Sequence, residues 1–237
     1  MVHKKKNISR ISTKDIAYEQ LKERIIKCFF EPGQPIVEEE LAKELEISRT
    51  PLREAIQRLE LEGLVVRNSN GRIRVAPVSI KELKELFIMR SKLEGIAIVD
   101  AIDNITEEDI KCLSYLAKMV KLTSQMQNQD DTNNFGTQFH SFIYNISRNQ
   151  TVEKVLFQLN DHINRYRRLA IKHIIDTKKA SDEHEIILEY MISGDKENAE
   201  STIENHILSS MNQAVKAVEK YESLITEQAN LKDQLSK

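Results

Sequence analysis

Between Ile47 and Val75 the apolar residues change their period once, and that change restricts the fold more than any other feature of the chain. Leu52, Ala55, Ile56 and Leu59 recur at i, i+3, i+4 and i+7, the spacing of one buried helical face. Ser48 stands where an N-cap hydroxyl would accept a first-turn N–H, and Pro51 falls in the first turn, where a missing donor costs nothing. Beyond Gly63 the pattern becomes that of strands. Leu64 to Arg67 and Arg72 to Val75 flank Ser69-Asn70-Gly71, a hairpin signal in which Asn70 and Gly71 are both expected at positive φ. Upstream, Ile16, Ala17, Leu21, Ile25 and Cys28 form a helical stripe that Pro32-Gly33 stops. A short helix over about 37–45 then turns Leu41, Ala42 and Leu45 inward. Three helices followed by a two-stranded basic hairpin make a winged helix-turn-helix. Arg49, Arg53 and Gln57 stand four apart along one flank of the third helix's apolar stripe. Long hydrogen-bonding side chains in that position suit a DNA major groove.

The rest of the chain contains no second change of period. Ala76-Pro77-Val78 is the expected joint between a first domain, residues 1–78, and a second, residues 79–237. Ser79 and Glu82 have capping-box spacing, and a helix to about 103 should follow. Helical patterns continue over about 106–127, 135–147, 151–174, 180–193 and 196–221, with the polar run 128–134 read as a loop. The tail from Glu222 either extends the last helix or frays. The expected fold class is therefore mainly α, a winged helix plus an antiparallel bundle of six or seven helices. With 6 Gly and 4 Pro in 237 residues, a many-turned β fold is excluded.

Charge divides along the same boundary. Residues 1–78 carry 15 Lys and Arg against 12 Asp and Glu, whereas the remainder carries 20 against 25. A basic head on an acidic body is the asymmetry expected of a DNA-facing domain joined to a regulatory one. His3 to Lys6 extend the head as a basic tail. Cys28 and Cys112 have no paired spacing, and no apolar stretch is long enough for a membrane span or a signal peptide. A cytoplasmic protein with no membrane partner is expected.

The second domain holds two sets of candidate residues. Arg90 falls within the inward stripe of its helix, where a carboxylate partner is required because an unpaired buried charge is costly. His140, His184 and His206 each lie on or beside the apolar face of a different helix, unlike His3, His162 and His173. One such histidine is most often a core residue with a satisfied hydrogen bond. Three on facing helices are the arrangement from which bundles build metal sites, and imidazole donors suit Zn²⁺ or Ni²⁺.

Two resemblances follow from these residues. The run Glu40-Leu41-Ala42, Ile47-Ser48-Arg49-Thr50-Pro51-Leu52-Arg53-Glu54-Ala55, Leu59-Glu60 and Glu62-Gly63-Leu64-Val65 resembles the DNA-binding domain of the GntR family of bacterial regulators. That resemblance implies that Arg49 and Arg53 reach bases or phosphates, that Ser48 and Thr50 bind phosphate, and that Gly71 and Arg72 enter the minor groove. Many members carry an arginine where this chain has Glu39, so that contact is either absent or supplied by Arg58 or Arg72. The second half, through Phe87 to Gly95, Phe139-His140, Glu183 to Ile187, Gly194-Asp195 and His206-Ile207, is similar to the all-helical ligand-binding (FCD) domain of the FadR-type subfamily. Many such domains hold a divalent metal on three histidines, here His140, His184 and His206, and an aspartate four residues before the first. That position is Gly136. Some relatives lack the metal, and the three histidines with it, and bind acyl-CoA in the cavity instead. Arg90 matches an inward arginine that pairs with an effector carboxylate.

The expected function is a homodimeric repressor that binds a short inverted repeat in double-stranded DNA and responds to a small organic acid, held by Arg90 and a metal. A metal-dependent hydrolase using the three histidines, with Glu183 or Glu185 as base, and a metal-free acyl-CoA sensor are the alternatives.

Overall fold

The computed structural model describes residues 12–171 and 178–235, with side chains at 12–169, 183–224 and 226–227. The expected basic tail at His3 to Lys6, the end of the helix expected to reach 174, and His173 lie outside the described residues. The chain divides into two compact units, Met1–Val78 and Ser79–Lys237.

The first unit runs α1 (Thr13–Ile26), β1 (Pro35–Ile36), α2 (Glu38–Glu44), α3 (Arg49–Leu61), β2 (Val65–Arg67) and β3 (Ile73–Val75). Leu52, Ala55, Ile56 and Leu59 of α3 pack on Leu21 and Ile25 of α1, and Leu64, Val65 and Val75 close the same core. Each of these aliphatic side chains contributes about 1.5–3 kcal/mol by leaving water. On α1 the inward residue is Tyr18, 2% exposed, whereas Ile16 is 47% exposed. Ala17, Leu21, Ile25 and Cys28 are buried as expected, and Tyr18 takes the place of Ile16: its hydroxyl donates to Glu62 Oε1 at 2.7 Å and so can be buried.

Three local expectations are corrected. Ser48 is the backbone N-cap of α3, but its hydroxyl makes no capping hydrogen bond. In the hairpin, β2 pairs with β3 with Arg67 opposite Ile73, and only Gly71, at φ +80°, is left-handed; Asn70 is not. The five-residue loop lets Gly71 N–H donate to the Asn68 carbonyl at 2.9 Å, so a single left-handed residue suffices. Lastly, β1 adds a third antiparallel strand, Pro35 opposite Arg74 and Ile36 opposite Ile73, giving the order β1-β3-β2. A two-residue strand containing a proline leaves no period to read.

In the second unit the helices are α4 (Ile80–Ile102), α5 (Glu107–Gln125), α6 (Gln129–Ser147), α7 (Gln150–Ile171), α8 (Lys178–Ser193) and α9 (Lys196–Leu235). These six among the described residues form the bundle, with the tail from Glu222 continuing α9. The core packs Ile98 and Ala101 of α4, Leu113 of α5, Phe139 and Ile143 of α6, Ile187 of α8 and Ile203 of α9. The run 128–134, expected as a loop, is the start of α6. Asn128 caps it by accepting from Asp131 N–H at 3.2 Å, and Asp130 and Asp131 place negative charge at the helix's positive end. Polar composition there marks an exposed first turn, not a break.

Candidate functional site: a three-histidine cluster in the bundle and an arginine-bearing helix in the head

α3 presents its N-terminus to solvent. Ser48, Arg49, Thr50 and Arg53 are all exposed, as are Gly71 and Arg72 at the wing tip. Two of the three α3 arginines are met by carboxylates of α2: Arg53 Nε donates to Glu38 at 2.8 Å, and Arg49 Nη2 lies 3.3 Å from Glu39. Glu39 thus places an acid beside the first arginine of α3. Arg58 is engaged elsewhere, its guanidinium 3.5 Å from the Tyr18 ring centroid and 3.4 Å from Glu62. Arg72 remains the outward cation of the wing tip.

In the bundle, α6, α8 and α9 bring His140, His184 and His206 together. All three are buried, and one nitrogen from each lies within 4.8 Å of the other two. The ring of His140 stacks on that of His206, and His184 meets both edge to face. His140 Nδ1 is 2.6 Å from Glu94 Oε2, and His206 Nδ1 is 2.7 Å from Glu183 Oε2. A carboxylate accepts, so each Nδ1 carries the proton and each Nε2 turns a lone pair inward. Those two Nε2 atoms stand 3.2 Å apart. Facing lone pairs repel at that distance unless a proton or a metal cation lies between them. Two nitrogens bound to one tetrahedral metal at 2.0–2.1 Å are separated by about 3.3 Å. The residues therefore fit a divalent metal.

Glu94 organises the next layer. It is wholly buried, accepts from Arg90 Nε at 2.6 Å on Oε1, and takes the Tyr144 hydroxyl on the same oxygen. Burial would raise its carboxyl, but Arg90, His140 and these hydrogen bonds outweigh that and hold it far below the usual carboxylate range. Burial lowers His140 to about 4 against the opposing pull of Glu94, so its ring is neutral at pH 7. Tyr144 is pushed up by burial and by Glu94. Arg90 is thus paired as an inward arginine must be, while its Nη1 is buried without a hydrogen-bond partner. Burial, with the like charge of Arg90, lowers Arg167 of α7 to about 9.

Sequence reasoning brought out the histidines and Arg90 but missed Glu94, Tyr144 and Arg167. The i,i+4 spacing of Arg90 and Glu94 was the available signal for Glu94. Glu183 and Glu185, the bases a hydrolase would need, are committed: Glu183 to His206, Glu185 to Lys121 at 2.6 Å.

Comparison with known proteins now decides the family. Residues 13–75 match the profile of the bacterial regulatory proteins of the gntR family, and residues 85–209, over half of the chain, match the FCD domain. The chain belongs to the GntR family. This GntR-family protein is 30% identical over 199 residues to the HTH-type transcriptional regulator YdhC of Bacillus subtilis (strain 168), covering 82% of this chain and 86% of that one. It is 23% identical to the HTH-type transcriptional repressor RspR of Escherichia coli (strain K12), over 80% and 83% of the two chains. The gluconate operon transcriptional repressor of B. subtilis matches at 23% over 76% of each. Among solved structures, E. coli McbR/YncC shares the fold with a TM-score of 0.74 at 20% identity, over 90% of this chain and 100% of that one. The matched domains and relatives are those of transcriptional regulators, not enzymes, so the alternative of a hydrolase is set aside. The present GntR-family protein is a DNA-binding transcriptional regulator. Among the described residues, no helix is long and apolar enough to cross a membrane.

Proposed function

We propose that this regulator is a cytoplasmic, homodimeric repressor whose hold on a short inverted repeat is governed by a divalent metal and a small organic acid in the bundle. The head, residues 1–78, would read DNA with Arg49 and Arg53, bind phosphates with Ser48 and Thr50, and reach the minor groove with Gly71 and Arg72. Repression is the role that the RspR and gluconate operon relatives carry in their names. In the second domain, residues 79–237, His140, His184 and His206 would hold Zn²⁺ or Ni²⁺, with Glu94 and Glu183 fixing two of the rings. A bound metal would supply a Lewis-acid seat for a carboxylate, and Arg90 Nη1 would offer a second contact.

The observation that carries this reading is the pair of Nε2 atoms 3.2 Å apart with both Nδ1 atoms committed to carboxylates. Coupling to DNA needs only the usual 1–3 kcal/mol between two ligands that favour different states. Elemental analysis of untagged protein tests the metal, with under about a tenth of an equivalent per chain rejecting it. Gel-shift titration against inverted repeats, with and without added organic acids, tests the rest. DNA binding that no acid alters at any repeat would remove the effector assignment.

A further inference from the structure

Arg53 stands on the open flank of α3, its side chain 64% exposed, and Glu38 holds it from one side. Its Nε donates to Glu38 Oε2 at 2.8 Å, and among the described residues neither Nη1 nor Nη2 makes a hydrogen bond. A guanidinium carries its five N–H donors in one rigid plane, so a bond at Nε leaves the two terminal nitrogens as a parallel pair. Guanine presents O6 and N7 side by side in the major groove, the matching pair of acceptors. Glu38 is itself well placed as a holder. It opens α2 directly behind β1, whose Ile36 is paired with Ile73, and its side chain is only 22% exposed. The neighbouring pair differs in kind. Glu39 and Arg49 are both well exposed, and Glu39 approaches Nη2, a terminal nitrogen that a base would need.

An exposed ion pair of this sort contributes little to the fold. A carboxylate there also opposes attachment to phosphates, because it cancels positive charge. What it supplies is order: an arginine held before docking has less rotamer freedom to lose. We infer that Glu38 is a specificity-determining residue that touches no base itself and holds Arg53 by Nε, so that Nη1 and Nη2 meet a guanine end-on. The inference rests on the reading of Arg53 as a DNA contact. Its consequence is that specificity and affinity part company. Without the acid, the choice of base loosens while attachment to any duplex strengthens.

The test uses the full chain at fixed salt, a duplex that the parent selects from a random-sequence pool, all single-base-pair variants of that duplex, and a random duplex. Arg53→Ala should reduce the preference for guanine at one pair in each half-site by about 5- to 150-fold. Glu38→Met keeps the length and removes the acceptor. It should reduce the preference at the same pair by roughly fivefold or more and bind the random duplex more tightly than the parent. Glu38→Ala repeats the comparison with a shorter side chain. Glu38→Gln keeps an acceptor oxygen and should retain part of the preference. In an Arg53→Ala background, Glu38→Met should alter the base pattern no further. A Glu38→Met variant that keeps the preference Arg53→Ala loses overturns the inference and leaves Arg53 as a contact. So does one that weakens every duplex alike or flattens other pairs, and so does a Glu38→Gln variant as flat as Glu38→Met. An Arg53→Ala variant with the parent's full pattern, or a parent that selects no sequence, overturns both the contact and the inference.

Discussion

Replacing Glu94 by glutamine keeps the side chain's shape and removes its charge, which isolates what that carboxylate contributes. In the native bundle its two oxygens receive Arg90 Nε, His140 Nδ1 and the Tyr144 hydroxyl. A glutamine offers one acceptor oxygen and turns an NH₂ toward donors that need an acceptor. Arg90, 1% exposed, then becomes a buried charge without a counterion. Removing one partner of such a pair costs about 3–5 kcal/mol. For a unit of this size each kcal/mol is about 2–4 °C of melting temperature, so a loss of about 6–20 °C is expected. Urea unfolding of metal-free protein at pH 7, followed by circular dichroism, measures the free-energy loss, and a thermal scan measures the shift in melting temperature. Adding Arg90→Met should recover part of the loss, because it removes the stranded charge. A Glu94→Gln variant within about 1 kcal/mol of the parent, or a double variant whose loss is the plain sum of the singles, would refute the reasoning.

Arg49→Ala and Arg53→Ala should each weaken operator binding by about 1–3 kcal/mol in fluorescence anisotropy, and parent-like affinity in both would remove them from the interface. Glu39→Gln takes a negative charge from beside Arg49, proposed to meet DNA, so non-specific DNA should bind more tightly and the slope of log K against log salt should steepen by up to about one; an unchanged slope would place Glu39 away from the phosphates. Metal-free protein should lose stability as pH falls from about 6.5, the ordinary histidine value, toward His140's folded value of about 4. In that window the unfolded chain binds a proton that the folded one does not, worth roughly 3 kcal/mol at full extent. Denaturation midpoints that stay level between pH 7 and pH 4.5 would contradict it.

Repeating elements were the readable part of this sequence. Four apolar residues at helical spacing in α3, and one inward histidine on each of three helices, announce themselves because a packed face must recur. The partners of those residues did not. Glu94 lies among charges common on any helix, and its choice of Arg90, His140 and Tyr144 depends on how α4 meets α6. Gly136 was legible only as a missing aspartate; that it faces His184 depends on how the bundle brings α6 and α8 together. Polar helical starts defeated the reading for the opposite reason. The residues from Asn128 to Asn134 have turn composition, yet capping and favourable end charges let them begin α6.

The pairing of β1 with β3 ties the approach to α2 into the same small sheet as the wing. Within the head, then, the tip at Gly71-Arg72 and the leading turn of α3 behave like the two jaws of a fixed caliper. The span between them is set before any duplex arrives. A target could be matched by choosing where along the groove the caliper closes, and not by stretching it. If α3 and the wing touch DNA as proposed, inserting a base pair between their two stretches should therefore be punished as severely as changing a base outright.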